Sequence, residues 1–362
     1  MNTSWTTQII WVITGSLTKL AKHELQALWA TLEWSSIIEW WFRATNAACL
    51  LCRWDASVEL RLSRMWTMIK WWVVYESVQE LFDALWPSQA TLIGTADQKL
   101  WVLCKREHWA KRFKEVKPLH TDREIVESGR EIQPLQNWSV LLVTWYQQID
   151  RYAAIEYDKP VRGMQVGMMP AALAQSLVSI AMGTHDEWTV YDPFCGFWTT
   201  NFVANSNGFN TIGSDINPTP AKQNLSRWQE QQFATDKRIT FFKHDVTEPF
   251  DKPYLKYVTG IATEGWLWPA LKAWFARQMS RQQQSEIQDE ITILYTAWII
   301  NHKNSPCSSA PIVCTFPQRT FIDEDMSRQW RRTCKEVWVQ VEELELYKKK
   351  GQRVARRVFR IN

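Results

Sequence analysis

Residues 191–200 read YDPFCGFWTT. The stretch follows WTV, so an apolar run ends in an acid, Asp192, turns through Pro193 to Gly196, and passes into TTNFVANSNG. Strand, loop and helix in that order are the unit from which α/β sheets are built. The loop is the kind that folds closely against a ligand, yet Trp198 stands where such a turn needs a residue without a Cβ.

Downstream the same rhythm repeats. NTIGSDI reads as a strand, PAKQNLSRWQEQQFA as a helix, ITFFKHDV as a strand and YVTGIATEG as strand and loop. A long helical stretch runs from Pro269 to Ile300, APIVCTF follows as a strand, and VQVEELELYKKKGQRVARRVFRI reads as two strands joined at KKKG. Upstream, Pro170 opens a helix over AALAQSLVSIAMG. The alternation predicts a mostly parallel, Rossmann-like sheet with helices on both faces and an antiparallel hairpin at one edge. We place this domain at residues 149–362. Residues 1–148 hold strand-like QIIWVIT and TMIKWWVVYE, helical SLTKLAKHELQALWATL and SVELRLSRM, and SIIEWWF, which suit a smaller α+β domain.

Composition narrows the class. The chain has 362 residues, 46% of them hydrophobic, and a net charge of +4, enough to bury a core in two or three domains. With no apolar run long enough to span a bilayer and no secretory leader at MNTSWTTQIIWVITG, a soluble cytoplasmic protein is expected. Seven cysteines, an odd number, suit free thiols in a reducing compartment. Cys49 and Cys52 form a lone CxxC inside AACLLC, and Cys307 and Cys314 lack matching partners, so packing rather than metal binding is expected of them.

Trp is abundant and Gly scarce: 24 against 12, where ordinary usage puts Gly near ~7% of residues. Trp198, Trp71, Trp72 and Trp268 all occupy places that suggest Gly. A source that reads UGA as Gly, translated with a table that reads it as Trp, would account for both the excess and the deficit; the alternative is a Trp-rich protein that carries these side chains natively.

Ligands of such sheets bind beyond the carboxyl ends of the strands, and four strand ends carry acids. Asp192 closes the first. Asp215 closes the second, 19 residues after Gly196, a spacing that suits a carboxylate on ribose hydroxyls. Asp245 closes the third and can meet an adenine edge. Glu264 closes the fourth, where the reacting group belongs. The third glycine of a GxGxxG fingerprint is absent, since Asn201 stands there. An acid just ahead of the glycines favours a cofactor with a cationic amino-acid part, which is S-adenosylmethionine, over a nicotinamide dinucleotide.

At DPFCGFWTT and GSDINP, with the lead-in KPVRGMQVGMMPAALAQSLVSIA and the closing QRVARRV, the chain from about Tyr152 to Arg360 resembles the THUMP-linked tRNA guanine-N2 methyltransferases. This is a class I methyltransferase family. The resemblance implies a cofactor site of Asp192, Phe194, Cys195, Gly196, Trp198, Thr199, Asp215, Ile216 and Asp245. It also implies that Trp198 stands at a glycine position, where an unaltered indole would obstruct the cofactor. The family's acid or amide followed by Pro-Pro-aromatic is replaced by Thr263-Glu264-Gly265-Trp266. Glu264, Trp266 and Thr263 are then the catalytic residues, Glu264 as acceptor for an exocyclic amine and its proton and Trp266 as a platform for an extruded base, unless Glu264 only caps the helix near Pro269 and Trp266 is core. Cys195 is expected to pack rather than react.

Basic residues cluster at Lys348, Lys349, Lys350, Arg353, Arg356, Arg357 and Arg360, of which Lys348, Lys349, Arg353 and Arg356 are the candidates for nucleic-acid phosphates, the alternative being a solvated edge strand guarded by charge. KREHWAKRFKEVK (residues 105–117) is either a solvated helix face or an RNA surface. The reading is a tRNA methyltransferase with a THUMP-like N-terminal region and no metal, in which a protein partner subunit stays open. A DNA amino-methyltransferase and an inactive RNA-binding protein of the same fold remain the alternatives.

Overall fold

The computed structural model of the chain describes the strands within residues 1–148 with residues 20, 23, 24, 26 and 27, and residues 149–361 apart from 163–168, 186–187, 267–279, 320–324 and 349–353. Contacts divide the chain into two units. One takes in Met1–Thr18, Thr31–Ser63 and Thr67–Gln148, the other Lys19–Ala30, Arg64–Trp66 and Ile149–Asn362.

The first unit holds strands β1 (Thr7–Thr14), β2 (Ile37–Ile38), β3 (Ala47–Arg53), β4 (Met68–Tyr75), β5 (Ile93–Gly94), β6 (Glu131–Pro134) and β7 (Val140–Tyr146). They form one sheet in the order β2-β3-β1-β4-β7-β6-β5. Its pairings are antiparallel apart from β5 with β6. TQIIWVIT and VLLVTWY owe their strands to β-branched and aromatic residues. Trp71 and Trp72 lie in β4, where the pairing with β7 slips register between them. Trp268 and residues 105–117 lie outside the described residues.

The second unit is the α/β sheet. Its strands are β8 (Thr189–Asp192), β9 (Asn210–Asp215), β10 (Ile239–Lys243), β11 (Val258–Thr263), β12 (Ile312–Arg319), β13 (Val341–Tyr347) and β14 (Val354–Ile361). The order is β10-β9-β8-β11-β12-β14-β13. β10 to β12 are parallel, whereas β14 runs antiparallel to both β12 and β13. The expected parallel sheet with a C-terminal antiparallel hairpin is thus present. From β8 the chain winds outward one way through β9 and β10, then the other way through β11 and β12. The reversal point lies between β8 and β11, where such sheets open a crevice.

Helices α1 (Ile149–Tyr157), α2 (Ala171–Met182), α3 (Thr199–Ser206), α4 (Thr219–Gln229), α5 (Arg281–Lys303) and α6 (Arg328–Glu336) accompany the strands. Every residue of α2 is buried. It can lie close on β11 because Gly260 has no side chain; a Cβ there would come within 2.8 Å of the Ala181 carbonyl oxygen. α5 starts at a capping box, with Ser280 Oγ accepting from the Gln283 N–H and Gln283 Oε1 accepting from the Ser280 N–H. The sequence reading began this helix at Pro269; residues 267–279 are not described. Tyr295, Trp298 and Ile299 of α5 join Phe316, Trp330 and Phe359 in the main aromatic core. Trp330 stacks on Phe316 at 5.2 Å, and truncating such a ring costs about 3–5 kcal/mol.

Candidate functional site

A cavity of about 690 Å³ opens beyond the carboxyl ends of β8, β9, β10 and β11, the size of a small-molecule site. Asp192, Asp215, Asp245 and Glu264 all line it. The fold therefore brings together the four acids expected from the strand ends.

Asp192 closes β8 and is 2% exposed. Its Oδ1 accepts from Thr263 Oγ1 at 2.6 Å and from the Phe194 N–H at 3.0 Å. Burial pushes its pKa up to about 7, while Thr263, Phe194 and Thr200 pull the other way and the charge of Asp215 adds to the rise. Asp215 takes the Gly196 N–H on Oδ2 and the Asn217 N–H on Oδ1. Burial raises its pKa as well. Two carboxyls that share one cavity and are costly to ionise there call for a cation opposite them. Asp245 is exposed, and Thr247 holds its Oδ1 through the main-chain N–H and the hydroxyl, which lowers its pKa.

The loop between β8 and α3 is pinned to β9. Cys195 N–H donates to Ser214 O at 2.9 Å, Gly196 N–H reaches Asp215, and Trp198 N–H donates to Cys195 O at 2.6 Å. Gly196 and Trp198 both adopt positive φ, 44° and 71°. Phe194, Cys195, Gly196 and Thr199 line the cavity, and Ile216, 63% exposed, forms part of its wall beyond β9.

Trp198 departs from the sequence reading in one respect and agrees with it in another. It does not line the cavity. The indole is fully buried on the core side, against Phe202 and Phe241, with Nε1 donating to Cys195 Sγ at 3.0 Å. Obstruction of the cofactor is thus corrected: the side chain leaves the loop on the other side. Its left-handed backbone is nonetheless a conformation that glycine favours. Among the described residues two non-glycine residues have positive φ, Trp198 and Trp338, and both are tryptophan.

Cys195 is a buried thiol whose pKa burial pushes well up, and the packing role expected of it suits that.

At the end of β11, Thr263 is fully buried and does not line the cavity. Its hydroxyl donates to Asp192 and accepts from the Gly265 N–H, so a direct catalytic contact is corrected to a support beneath the site. Gly265 has φ 73° and lies so close to Tyr295 that an added Cβ would collide with the phenol. Tyr295 Oη accepts from the Trp266 N–H at 3.1 Å and donates to Thr315 O at 2.9 Å, while Thr315 Oγ1 donates to Glu264 O at 2.7 Å. α5 and β12 thereby clamp the Glu264–Trp266 turn. Trp266 lines the cavity and also packs on the core.

Glu264 Oε1 lies 2.5 Å from Arg356 Nε. The Met169 N–H also reaches this carboxyl, and burial raises its pKa against the pull of Arg356 and Lys159. Arg356 is 5% exposed. It is therefore no outward phosphate contact, because the strand's alternation turns it inward to a carboxylate. Arg357 meets Glu343 at 2.6 Å, and Arg360 lies 3.8 Å from Glu342. Lys348 is exposed, while Lys349, Lys350 and Arg353 lie outside the described residues.

The sequence reading did not single out Lys159. It is buried, and its Nζ donates to Thr199 Oγ1 at 2.6 Å. Burial lowers its pKa to about 7, opposed by Glu156 and Glu264. The signal available was a lysine in KPVRG, too common to stand out. Also missed were His244, which lines the cavity and tilts onto Phe250 at 4.6 Å, and the wall of Glu290, Ile293 and Leu294 on α5. Among the described residues no three His, Cys, Asp or Glu side chains gather to hold a metal, and no helix is long and apolar enough to cross a membrane.

No protein-family model and no curated protein matches the chain. Solved structures do resemble it. One from Pyrococcus horikoshii, described as a candidate RNA methyltransferase, shares 12% identity over 59% of this chain and 94% of its own, with a TM-score of 0.37. Magnesium protoporphyrin IX methyltransferase (ChlM) from Synechocystis PCC 6803 with bound SAH shares 14% over 59% and 93%, also at 0.37. TYW2 of P. horikoshii, in complex with MeSAdo, shares 16% over 54% and 64%, at 0.33. Likeness at this level carries no chemistry over; the cavity's own residues do that.

Proposed function

We propose that the chain is an S-adenosylmethionine-dependent methyltransferase that modifies the exocyclic amine of a guanine in tRNA. One observation carries the reading: four acids from four successive strand ends face a single cavity at the sheet's reversal point. The donor set fits this cofactor. Asp192 and Asp215 supply negative charge for a cationic amino-acid part and for hydroxyls, and Ile216 and Asp245 supply an apolar contact and an acceptor for a purine. When bound, the cofactor supplies an electrophilic methyl group.

The remaining work falls to this chain. Thr263 and the Phe194 N–H orient Asp192, and the pinned loop keeps Gly196 against Asp215. Trp266 and Phe194 offer apolar faces to a planar base. Glu264 accepts a hydrogen bond from the target amine and takes its proton, at a carboxyl already held by Arg356 and the Met169 N–H. The choice of guanine and of tRNA rests on the resemblance of DPFCG and GSDINP to the THUMP-linked enzymes, with residues 1–148 as the RNA-gripping part.

The test is transfer of labelled methyl from S-adenosylmethionine to unmodified total tRNA and to DNA, followed by nucleoside analysis. Label in N2-methylated guanosine supports the proposal, and label in DNA alone replaces it with a DNA amino-methyltransferase. Cofactor binding with no transfer to either leaves an RNA-binding protein of the same fold.

A further inference from the structure

We infer that Arg356 is a positioning residue for methyl transfer, fixing the Glu264 carboxyl at the cavity wall in its charged, proton-accepting form. This rests on the reading of Glu264 as the amine's acceptor.

The geometry is direct. β14 enters between β12 and β13, and its register sets Arg356 opposite Pro317 on one side and Tyr347 on the other. Strand alternation sends consecutive side chains to opposite faces. Arg357 accordingly leaves toward Gln318 and Glu343, while Arg356 goes inward to Glu264. Both ends of Glu264 are held: its carbonyl by Thr315, its carboxyl by Arg356 and the Met169 N–H.

A buried ion pair is no economical way to stabilise a fold, because apolar residues of equal size often do as well or better. Placed on a cavity wall it does something apolar residues cannot, which is to keep a carboxylate ionised out of water. The charged and titratable groups facing Glu264 are Arg356 from β14, Lys159 from the segment after α1 and Tyr295 from α5. Of these, Arg356 does most to offset burial. Without it burial favours the protonated acid, which donates a hydrogen bond where the target amine needs an acceptor.

The step balances. The N–C bond forms as the S–C bond breaks, the electron pair stays on sulfur, and the amine's proton passes to Glu264. Arg356 stays protonated throughout and touches neither reactant.

Two measurements test this on the full chain. Carbon-13 labelling of glutamate carboxyls, with the Glu264 signal assigned by Glu264→Gln, follows its titration directly. Glu264 should titrate at distinctly higher pH in Arg356→Gln than in the unaltered protein, and Arg356→Lys should return it toward the unaltered titration. An unchanged titration in Arg356→Gln overturns the inference. In methyl transfer, Arg356→Gln should lose on the order of 10²-fold in kcat, the low end of what a positioned proton acceptor contributes. Cofactor affinity should barely change, the acid limb of the kcat profile should move to higher pH, and Arg356→Lys should restore that limb. A loss with an unmoved limb, or with equal loss of cofactor affinity, assigns Arg356 to packing and overturns the inference. If the unaltered protein methylates no nucleic acid, the parent reading fails, while the carboxyl titration still decides whether Arg356 governs Glu264.

Discussion

Thr263 Oγ1 donates to Asp192 Oδ1 at 2.6 Å, tying the end of β11 to the end of β8 across the point where the sheet reverses its order. Both residues are buried, so the bond has no water to replace it. Thr263→Ala should leave Asp192 underpaired and weaken cofactor binding by about 1–3 kcal/mol, the cost of orphaning a buried polar group. Thr263→Ser keeps the hydroxyl and should stay near the original affinity. Isothermal titration with S-adenosylhomocysteine checks the pair; equal losses in both variants would assign the effect to the lost methyl group instead.

Asp192 makes binding sensitive to pH. Its pKa is raised to about 7, so the free site holds a neutral acid on the acid side and a carboxylate on the alkaline side. A cationic amino-acid group pairs only with the carboxylate. Affinity for the cofactor should therefore climb from pH 6 to 8 and level off above, with protons released on binding below about pH 7. Asp192→Asn should bind weakly and show no such climb. Calorimetry in buffers of different ionisation enthalpy counts the protons.

Lys159 acts on stability. Its pKa is lowered to about 7 in the folded chain from 10.5, so between those values the unfolded chain binds the extra proton. Stability then rises with pH across this window, by at most about 1.4 kcal/mol per unit. Lys159→Met should remove that rise. Urea unfolding of both proteins at pH 7, 8 and 9 gives the difference, and parallel curves would show that Lys159 keeps its proton.

Trp338 and Trp198 bear on how the chain is decoded. Trp338 is 91% exposed with φ 58°, so it has strain to lose and little packing to give up. Trp338→Gly should stabilise the fold by about 1 kcal/mol. Trp198→Gly relieves the same kind of strain but empties a packed site, so its sign depends on how far Phe202 and Phe241 close in. Peptide mass spectrometry of protein from the source organism should find Gly at both positions if UGA is read as Gly. Trp at both would show that the chain carries the strained residues natively.

The sheet was legible where apolar runs end in acids. TVYD, NTIGSD and VTGIAT, the last running straight into Glu264, are short and β-rich, and each forms a strand. α6 was not legible, because RQWRRTCKE shows only Trp330 and Cys334 to the core in an otherwise polar stretch. The loop's demand for a left-handed residue at 198 could be read from its spacing. Where that residue's ring goes could not, since it depends on the volume left between α3 and β10. Nor could the Glu264–Arg356 pair be found from local pattern: 92 positions separate the two, and only the register of β14 sets Arg356 against the cavity. A run of basic residues suggested an outer surface, and strand alternation divided it between two faces.

The insertion of β14 between β12 and β13 also orders events during synthesis. β13 is made before the strand that joins it to the sheet, so β12 keeps an open edge until β14 arrives. A nascent chain at that stage has its four acids in place and no guanidinium beside Glu264. The charge balance of the site is thus completed by a long-range pairing late in the chain, and the pairing that closes the sheet is also the one that finishes the pocket.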